Sequence, residues 1–237
     1  MEIQMQEDPS PETKSHGRLP IGIVFLALFV VITALVVSKT SQQFDAAITL
    51  SINRIYAGSA LNSFLVFATE YGREYFWIPI VAIMLLFGKR DTKTLAIELA
   101  ILFIIGIAAG EAMKHIMFRP RPFNTVTGIT TRVPRDTDSS YPSGHALIVS
   151  IGAIYALARF RRKGIASLLA LEAIIVCYSR ISVGVHYLLD VVSGVFLGGA
   201  IVFLGLFLIN GYLQKQVVFL TDLSEKILGR MHVPGAL

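Results

Sequence analysis

Two blocks of this chain, Leu19–Ser38 and Val191–Gln214, run for at least twenty residues without a charged side chain. At 1.5 Å of rise per helical residue, each is long enough to span the roughly 30 Å hydrocarbon core of a bilayer. The rest of the chain follows suit. It is 54% hydrophobic and 16% charged, with a mean hydropathy of +0.66, which is too apolar for a soluble domain of ordinary composition. The chain reads as an integral membrane protein made of a single bundle, without a separate soluble domain.

Six membrane helices are expected, at about 19–38, 71–88, 94–113, 143–159, 165–180 and 188–212, which makes an all-α bundle. Residues 1–18 and 213–237 read as N- and C-terminal tails flanking a domain at 19–212. Between the apolar blocks, basic residues gather at Lys14/Arg18, Lys89/Arg90/Lys93, Arg159/Arg161/Arg162/Lys163 and Lys215/Lys226/Arg230. The net charge of +5 therefore reads as the cytoplasmic-loop bias of a membrane protein rather than as a nucleic-acid surface. With both termini inside, alternation puts 39–70, 114–142 and 181–187 on the non-cytoplasmic side. The first apolar run, lacking a small-residue cleavage site, reads as a retained anchor. Within 39–70, Phe44, Ile48, Ile52, Ile55 and Tyr56 approach helical spacing and suggest an amphipathic helix on the membrane surface. The single cysteine, Cys177, excludes an intrachain disulfide and reads as a packed residue.

Three short stretches abut these apolar runs, all on the expected outer face: Lys114–Pro122 (KHIMFRPRP), Pro142–His145 (PSGH) and Ser179–Asp190 (SRISVGVHYLLD). They hold three signature cations (Lys114, Arg121, Arg180), two histidines (His145, His186) and Asp190. Arginine presents a planar fork of donors and lysine a compact charge, so the set suits a phosphate. Phosphoryl transfer needs neutralised equatorial oxygens, a nucleophile in line and a proton for the leaving oxygen. If a helix starts near His186, Asp190 four residues on shares its face. The carboxylate can then orient one ring nitrogen while the other attacks. His145, at a helix start behind Ser143 and Gly144, is the candidate acid and base. Single cations at helix ends are ordinarily snorkelling residues; three with two histidines on one face are a site.

The spacings Lys-x6-Arg-Pro, Pro-Ser-Gly-His and Ser-Arg-x5-His-x3-Asp resemble the type 2 phosphatidic acid phosphatase family, in the family's order and with no signature position substituted. The resemblance implies a covalent phosphohistidine at His186 supported by Asp190. It also implies a phosphate cradle of Lys114, Arg121, Ser143, Gly144 and Arg180, and metal-independent, cofactor-free hydrolysis. Outward-facing members often recycle polyprenyl diphosphate carriers, so the expected substrate is such a lipid; phosphatidic acid or phosphatidylglycerol phosphate is the alternative. Related soluble haloperoxidases hold vanadate in the same constellation, but six apolar runs argue against that class. A non-catalytic lipid-phosphate binder or flippase would predict decay of the nucleophile or acid motif, and both are intact.

Other polar residues read as structural. Asp136 and Asp138 could hold Mg²⁺ through water, but a solvated loop is the simpler expectation. Glu111 is spaced to pair with Lys114. Glu172 lies within an apolar run, too far along the helix from Arg180 to reach the phosphate. Gly106/Gly110 and Gly194/Gly198 have GxxxG spacing, suited either to close helix approach or to unspecific packing. Partners beyond a lipid phosphate, membrane lipids and a possible second copy of the chain are not suggested.

Overall fold

The computed structural model describes residues 17–55 and 58–230, so Lys14, Tyr56 and the outermost parts of both expected tails lie outside the described residues. The described residues form helices and no strands: α1 (Arg18–Val37), α2 (Gln42–Arg54), α3 (Ser59–Tyr71), α4 (Glu74–Phe87), α5 (Arg90–Ile116), a one-turn α6 (Pro122–Thr125), α7 (Gly144–Arg159), α8 (Lys163–Ser182), α9 (Leu188–Leu208) and α10 (Gln214–Arg230). Four helical stretches are long and apolar enough to cross a membrane: α1, α5, α8 and Leu188–Gly229, which begins as α9. The apolar helices α4 and α7 are shorter.

Helix α7 (Gly144–Arg159) is the central helix of the bundle. It packs on α5, α8 and α9, and its side chains from Ala146 to Tyr155 lie almost entirely out of contact with the surroundings. Helix α1 lies on the far side of α9 and buries little beyond Phe29, Ile32 and Val36. The apolar side chains left uncovered, such as Val24 and Val30 on α1, Ile104 and Ile107 on α5, and Leu168 and Ile174 on α8, form the face that lipid solvates. Lipid is as apolar as leucine, so helix association here rests on close packing rather than on escape from water. Both GxxxG pairs supply that packing, and both have the same partner. A Cβ on Gly194 would come within 2.8 Å of the Ser143 carbonyl oxygen, and one on Gly198 within 3.1 Å of that of Leu147. Gly106 and Gly110 on α5 face Ile151 and Leu147. The glycine spacing is thus specific: it clamps α7, and with it the PSGH turn, between α5 and α9.

Three elements differ from the sequence expectation. The region 39–70 holds two helices, α2 and α3. The apolar run expected to start at residue 71 starts instead at Glu74, because the chain breaks at Gly72–Arg73 between α3 and α4. The last helix does not end at 212. It passes through a π-helical turn (Ile209–Leu213) and continues as α10, which packs on α5, with Arg90 bound to Asp222 (2.5 Å) and Glu225 (2.6 Å).

Candidate active site

The C-terminal ends of α5 and α8, the N-terminal ends of α7 and α9, and the segments joining them meet at one end of the bundle. Lys114, Arg121, Gly144, His145, Arg180 and His186 line a single cavity of about 530 Å³ there, together with Arg73, Glu111, Arg135 and Asp136–Asp138. Residues up to 113 positions apart in sequence, as Arg73 and His186 are, thereby face one space. Of the expected site residues, Ser143 and Asp190 do not line it. Ser143 is fully buried beneath, where its Oγ caps α7 by accepting from the Ala146 N–H (3.4 Å). Asp190 lies one layer behind His186.

His186 follows the turn at Gly184, whose φ of +82° and proximity to the Thr130 carbonyl oxygen favour a residue without Cβ. Its Nδ1 is 2.8 Å from the Ser140 carbonyl oxygen, an acceptor only, so Nδ1 carries the proton and Nε2 keeps its lone pair. The expected direct bond to Asp190 is absent: the nearest carboxylate oxygen is 3.6 Å from Nδ1, beyond hydrogen-bond range. Asp190 is instead held by the Arg119 guanidinium (2.5 Å) and the Tyr187 N–H (2.9 Å). The other arm of Arg119 binds Asp45 of α2 (2.7 Å), and its plane lies over the Tyr187 ring. A surface-type helix thereby braces the support of the histidine. Burial first, then the charges of Arg180 and Arg121, hold the His186 imidazole well below its usual range, so it is neutral at pH 7.

The three signature cations differ in how they are engaged. Asp138 bridges two of them, accepting from Lys114 (2.8 Å) and Arg121 (2.5 Å), while Glu111 and Asp136 add 3.1 Å and 3.2 Å contacts to the same pair. Arg121 also donates to the Val185 carbonyl (3.1 Å), which fixes its fork beside His186. Against the penalty of partial burial, the bonds from Lys114 and Arg121 bring the Asp138 carboxyl down to about 2. Asp136 and Asp138 are thus bound to cations, not free as a loop pair. Arg180 is the exception. It is 5% exposed and donates through Nη1 to Thr69 (2.7 Å), but its Nε has no partner among the described residues. A buried guanidinium with an unused donor beside a cavity lined by further cations has room for one more acceptor.

Sequence reasoning missed Arg73, Arg119, Ser140 and Thr69. Ser140 acts through a carbonyl, which leaves no side-chain signal; Arg119 stands inside the KHIMFRPRP stretch but at none of its signature positions. The expected Glu111–Lys114 pair is present. Glu172 faces Gly72 on α3–α4, away from the cavity.

A second, apolar cavity of about 410 Å³ lies between α4 and α5, walled by Ile78, Val81, Leu85, Phe103 and Ile107. It meets the polar cavity at Arg73, Glu111 and Gly144, which line both. A phosphate at the cationic end would carry an apolar tail straight into this groove.

The model of the PAP2 superfamily matches residues 95–212, which hold all three motifs. The undecaprenyl-diphosphatase of Sulfolobus acidocaldarius is 47% identical over 146 residues, 62% of this chain and 69% of that protein. Undecaprenyl-diphosphatase BcrC of Bacillus subtilis is 31% identical over 73% of this chain and 87% of its own. The crystal structure of a transmembrane PAP2 type phosphatidylglycerolphosphate phosphatase from Bacillus subtilis superposes with a TM-score of 0.66. It covers 82% of this chain and 96% of that one at 21% identity. Motifs, cationic cavity, helical frame and relatives agree, and the chain belongs to the PAP2 superfamily.

Proposed function

We propose that this protein is a membrane phosphatase that removes the terminal phosphate of a polyprenyl diphosphate through a phosphohistidine on His186. The observation that carries the reading is the junction of the two cavities: a cationic, histidine-lined chamber opening onto an apolar groove between α4 and α5. The names of the two relatives, both undecaprenyl-diphosphatases, favour a diphosphate on a long isoprenoid.

In this mechanism the terminal phosphate displaces Asp138 from Lys114 and Arg121 and takes the open donor of Arg180. The Gly144 N–H, at the N-terminus of α7, adds a further donor. Neutral His186 attacks phosphorus through Nε2, with Nδ1 held by Ser140. Asp190, clamped by Arg119, stabilises the positive charge that the ring gains. The charge of the bound phosphate offsets the surrounding cations and lets His145 hold a proton, which it gives to the departing oxygen; it then takes one from the water that hydrolyses the phosphohistidine. Ser143 acts indirectly, by capping the helix that presents Gly144 and His145. The cations supply the electrostatic stabilisation, so the reaction proceeds without a divalent metal. The basic segments at 88–93 and 160–164 support an active site on the non-cytoplasmic side.

Phosphate release by the purified protein in detergent, over a panel of undecaprenyl diphosphate, phosphatidic acid and phosphatidylglycerol phosphate, tests the reading. The diphosphate should give the highest kcat/KM, with activity surviving EDTA and falling with vanadate, a mimic of the trigonal-bipyramidal transition state. No release from any lipid, or loss in EDTA restored by Mg²⁺, would overturn it. Cysteines placed in 125–135 should label from outside and those at 161–163 should not; the reverse pattern would move the reaction to the cytoplasmic face.

A further inference from the structure

Resting on that reading, we infer that Arg73 is a fourth phosphate-binding cation, one that grips the lipid-side phosphate of a diphosphate and so sets the preference for diphosphates over monophosphates. Arg73 belongs to none of the three motifs. It sits in the break between α3 and α4, and among the described residues it is the one cation that lines both the polar cavity and the apolar groove. Its guanidinium stands over the N-terminus of α7: a Cβ built on Gly144 would be 3.5 Å from Arg73 Nη1 and 4.0 Å from Lys114 Nζ. A group resting on Gly144 is therefore within reach of both.

The connectivity of the substrate gives that place a meaning. With the terminal phosphate at His186 and the isoprenoid in the groove, the remaining phosphate must lie at the seam between the cavities. The seam is made of Arg73, Glu111 and Gly144. Glu111 repels an anion and the Gly144 N–H serves the terminal phosphate, which leaves Arg73 to hold it. Arg73 is equipped to do so. Its carboxylate partner among the described residues is the neighbouring Glu74, itself 49% exposed, and its Nε is buried without an acceptor. A guanidinium fork can exchange so exposed a partner for phosphate oxygens at little cost.

The consequence for chemistry follows from the bond that breaks. When His186 Nε2 bonds to the terminal phosphorus, the bond from that phosphorus to the bridging oxygen breaks. Its electron pair stays on the bridging oxygen, now part of the departing lipid monophosphate, while His145 supplies any proton needed. Negative charge thus rises on the phosphate that Arg73 holds, and the interaction strengthens in the transition state. A lipid monophosphate places only its ester oxygen and carbon chain at the seam, so it offers Arg73 no phosphate to bind.

Farnesyl diphosphate and farnesyl monophosphate, hydrolysed by wild type, Arg73→Ala and Arg73→Lys in detergent, separate the possibilities. Losing a charge-assisted contact made to the departing phosphate should lower kcat/KM for the diphosphate about ten- to hundredfold, and for the monophosphate less than about threefold. Arg73→Lys should recover part of the difference. Arg73→Gln carries the same comparison should the alanine variant not fold, with the thermal midpoint as the check. Equal losses on both substrates, or no loss on the diphosphate, would overturn this role while leaving the phosphatase reading intact. Wild type that releases phosphate from neither would overturn that reading, and this inference with it.

Discussion

The two ends of the bundle each gather arginines and carboxylates, yet they are wired differently. At the end opposite the cavity, Glu98 is 3% exposed and accepts from Tyr155 (2.6 Å) and from both Nη2 (2.8 Å) and Nε (3.0 Å) of Arg159. Both oxygens of that carboxylate are engaged by α7. At the cavity end, Lys114, Arg121, Arg180 and Arg73 face one space, and the acids among them, Asp136, Asp138 and Glu111, are about half exposed. Arg180 keeps a donor unused. A buried carboxylate bound by an arginine and a tyrosine of the neighbouring helix ties helices together, whereas several cations paired with displaceable, half-exposed acids suit the receipt of an anion.

That contrast can be broken most severely at His186, the proposed nucleophile. His186→Ala should remove phosphate release to background, about 10⁴-fold or more, while leaving the folded protein intact. Arg180→Met should cost about 10²- to 10³-fold in kcat but little stability, because it deletes a buried charge that is only partly satisfied. Glu98→Ala should do the opposite: activity on the folded protein stays near wild type, while stability falls by about 2–3 kcal/mol, read as a lower thermal midpoint. Equal destabilisation by both would mean that the two ends are the same kind of cluster.

Smaller effects sharpen the picture around His186. Asp190→Asn should leave a measurable remnant, lower by about ten- to hundredfold, since Ser140 rather than Asp190 makes the hydrogen bond to Nδ1. Asp138→Asn should lower KM about two- to fivefold, because substrate no longer competes with its carboxylate for Lys114 and Arg121. The pH dependence has a definite sign. His186 titrates well below 6.5 in the folded protein, so the acid limb of kcat/KM should lie well under that value. Because the folded state resists protonating this ring and the unfolded chain does not, stability should also decline as pH falls below about 6.5. Asp138, depressed to about 2, contributes stability that is present above the usual carboxyl range near 3.8 and is lost only as pH falls towards 2.

Much of this site was legible in the sequence because phosphate chemistry demands charged side chains at set distances from helix ends. Lys114, Arg121, His145, Arg180 and His186 all carry that demand in their spacing, and all face the cavity. What was illegible acts by other means. Ser140 contributes a backbone carbonyl, and Asp138 reads as one acid in a polar loop until folding sets it between two cations. Arg73 hides at the edge of an apolar run, where an interfacial arginine is ordinary, and only the break at Gly72 turns it toward α7. The fold shows the same division. Apolar blocks mark the long helices, but Glu74 opens a helix that hydropathy starts three residues earlier, at Tyr71. Helix α10, amphipathic rather than apolar, reads as tail because its partner on α5 is distant in sequence.

The most direct test of the whole account is to trap the covalent intermediate. In His145→Ala, attack on an activated aryl phosphate should proceed, since its leaving oxygen scarcely needs a proton, while hydrolysis of the phosphoenzyme stalls for want of a base. Acid quench after brief exposure to aryl [³²P]phosphate, followed by mapping of the label, should then find phosphate on His186. The His145→Ala/His186→Ala double variant should carry no label. Label on any other residue, or full turnover by His186→Ala, would contradict it.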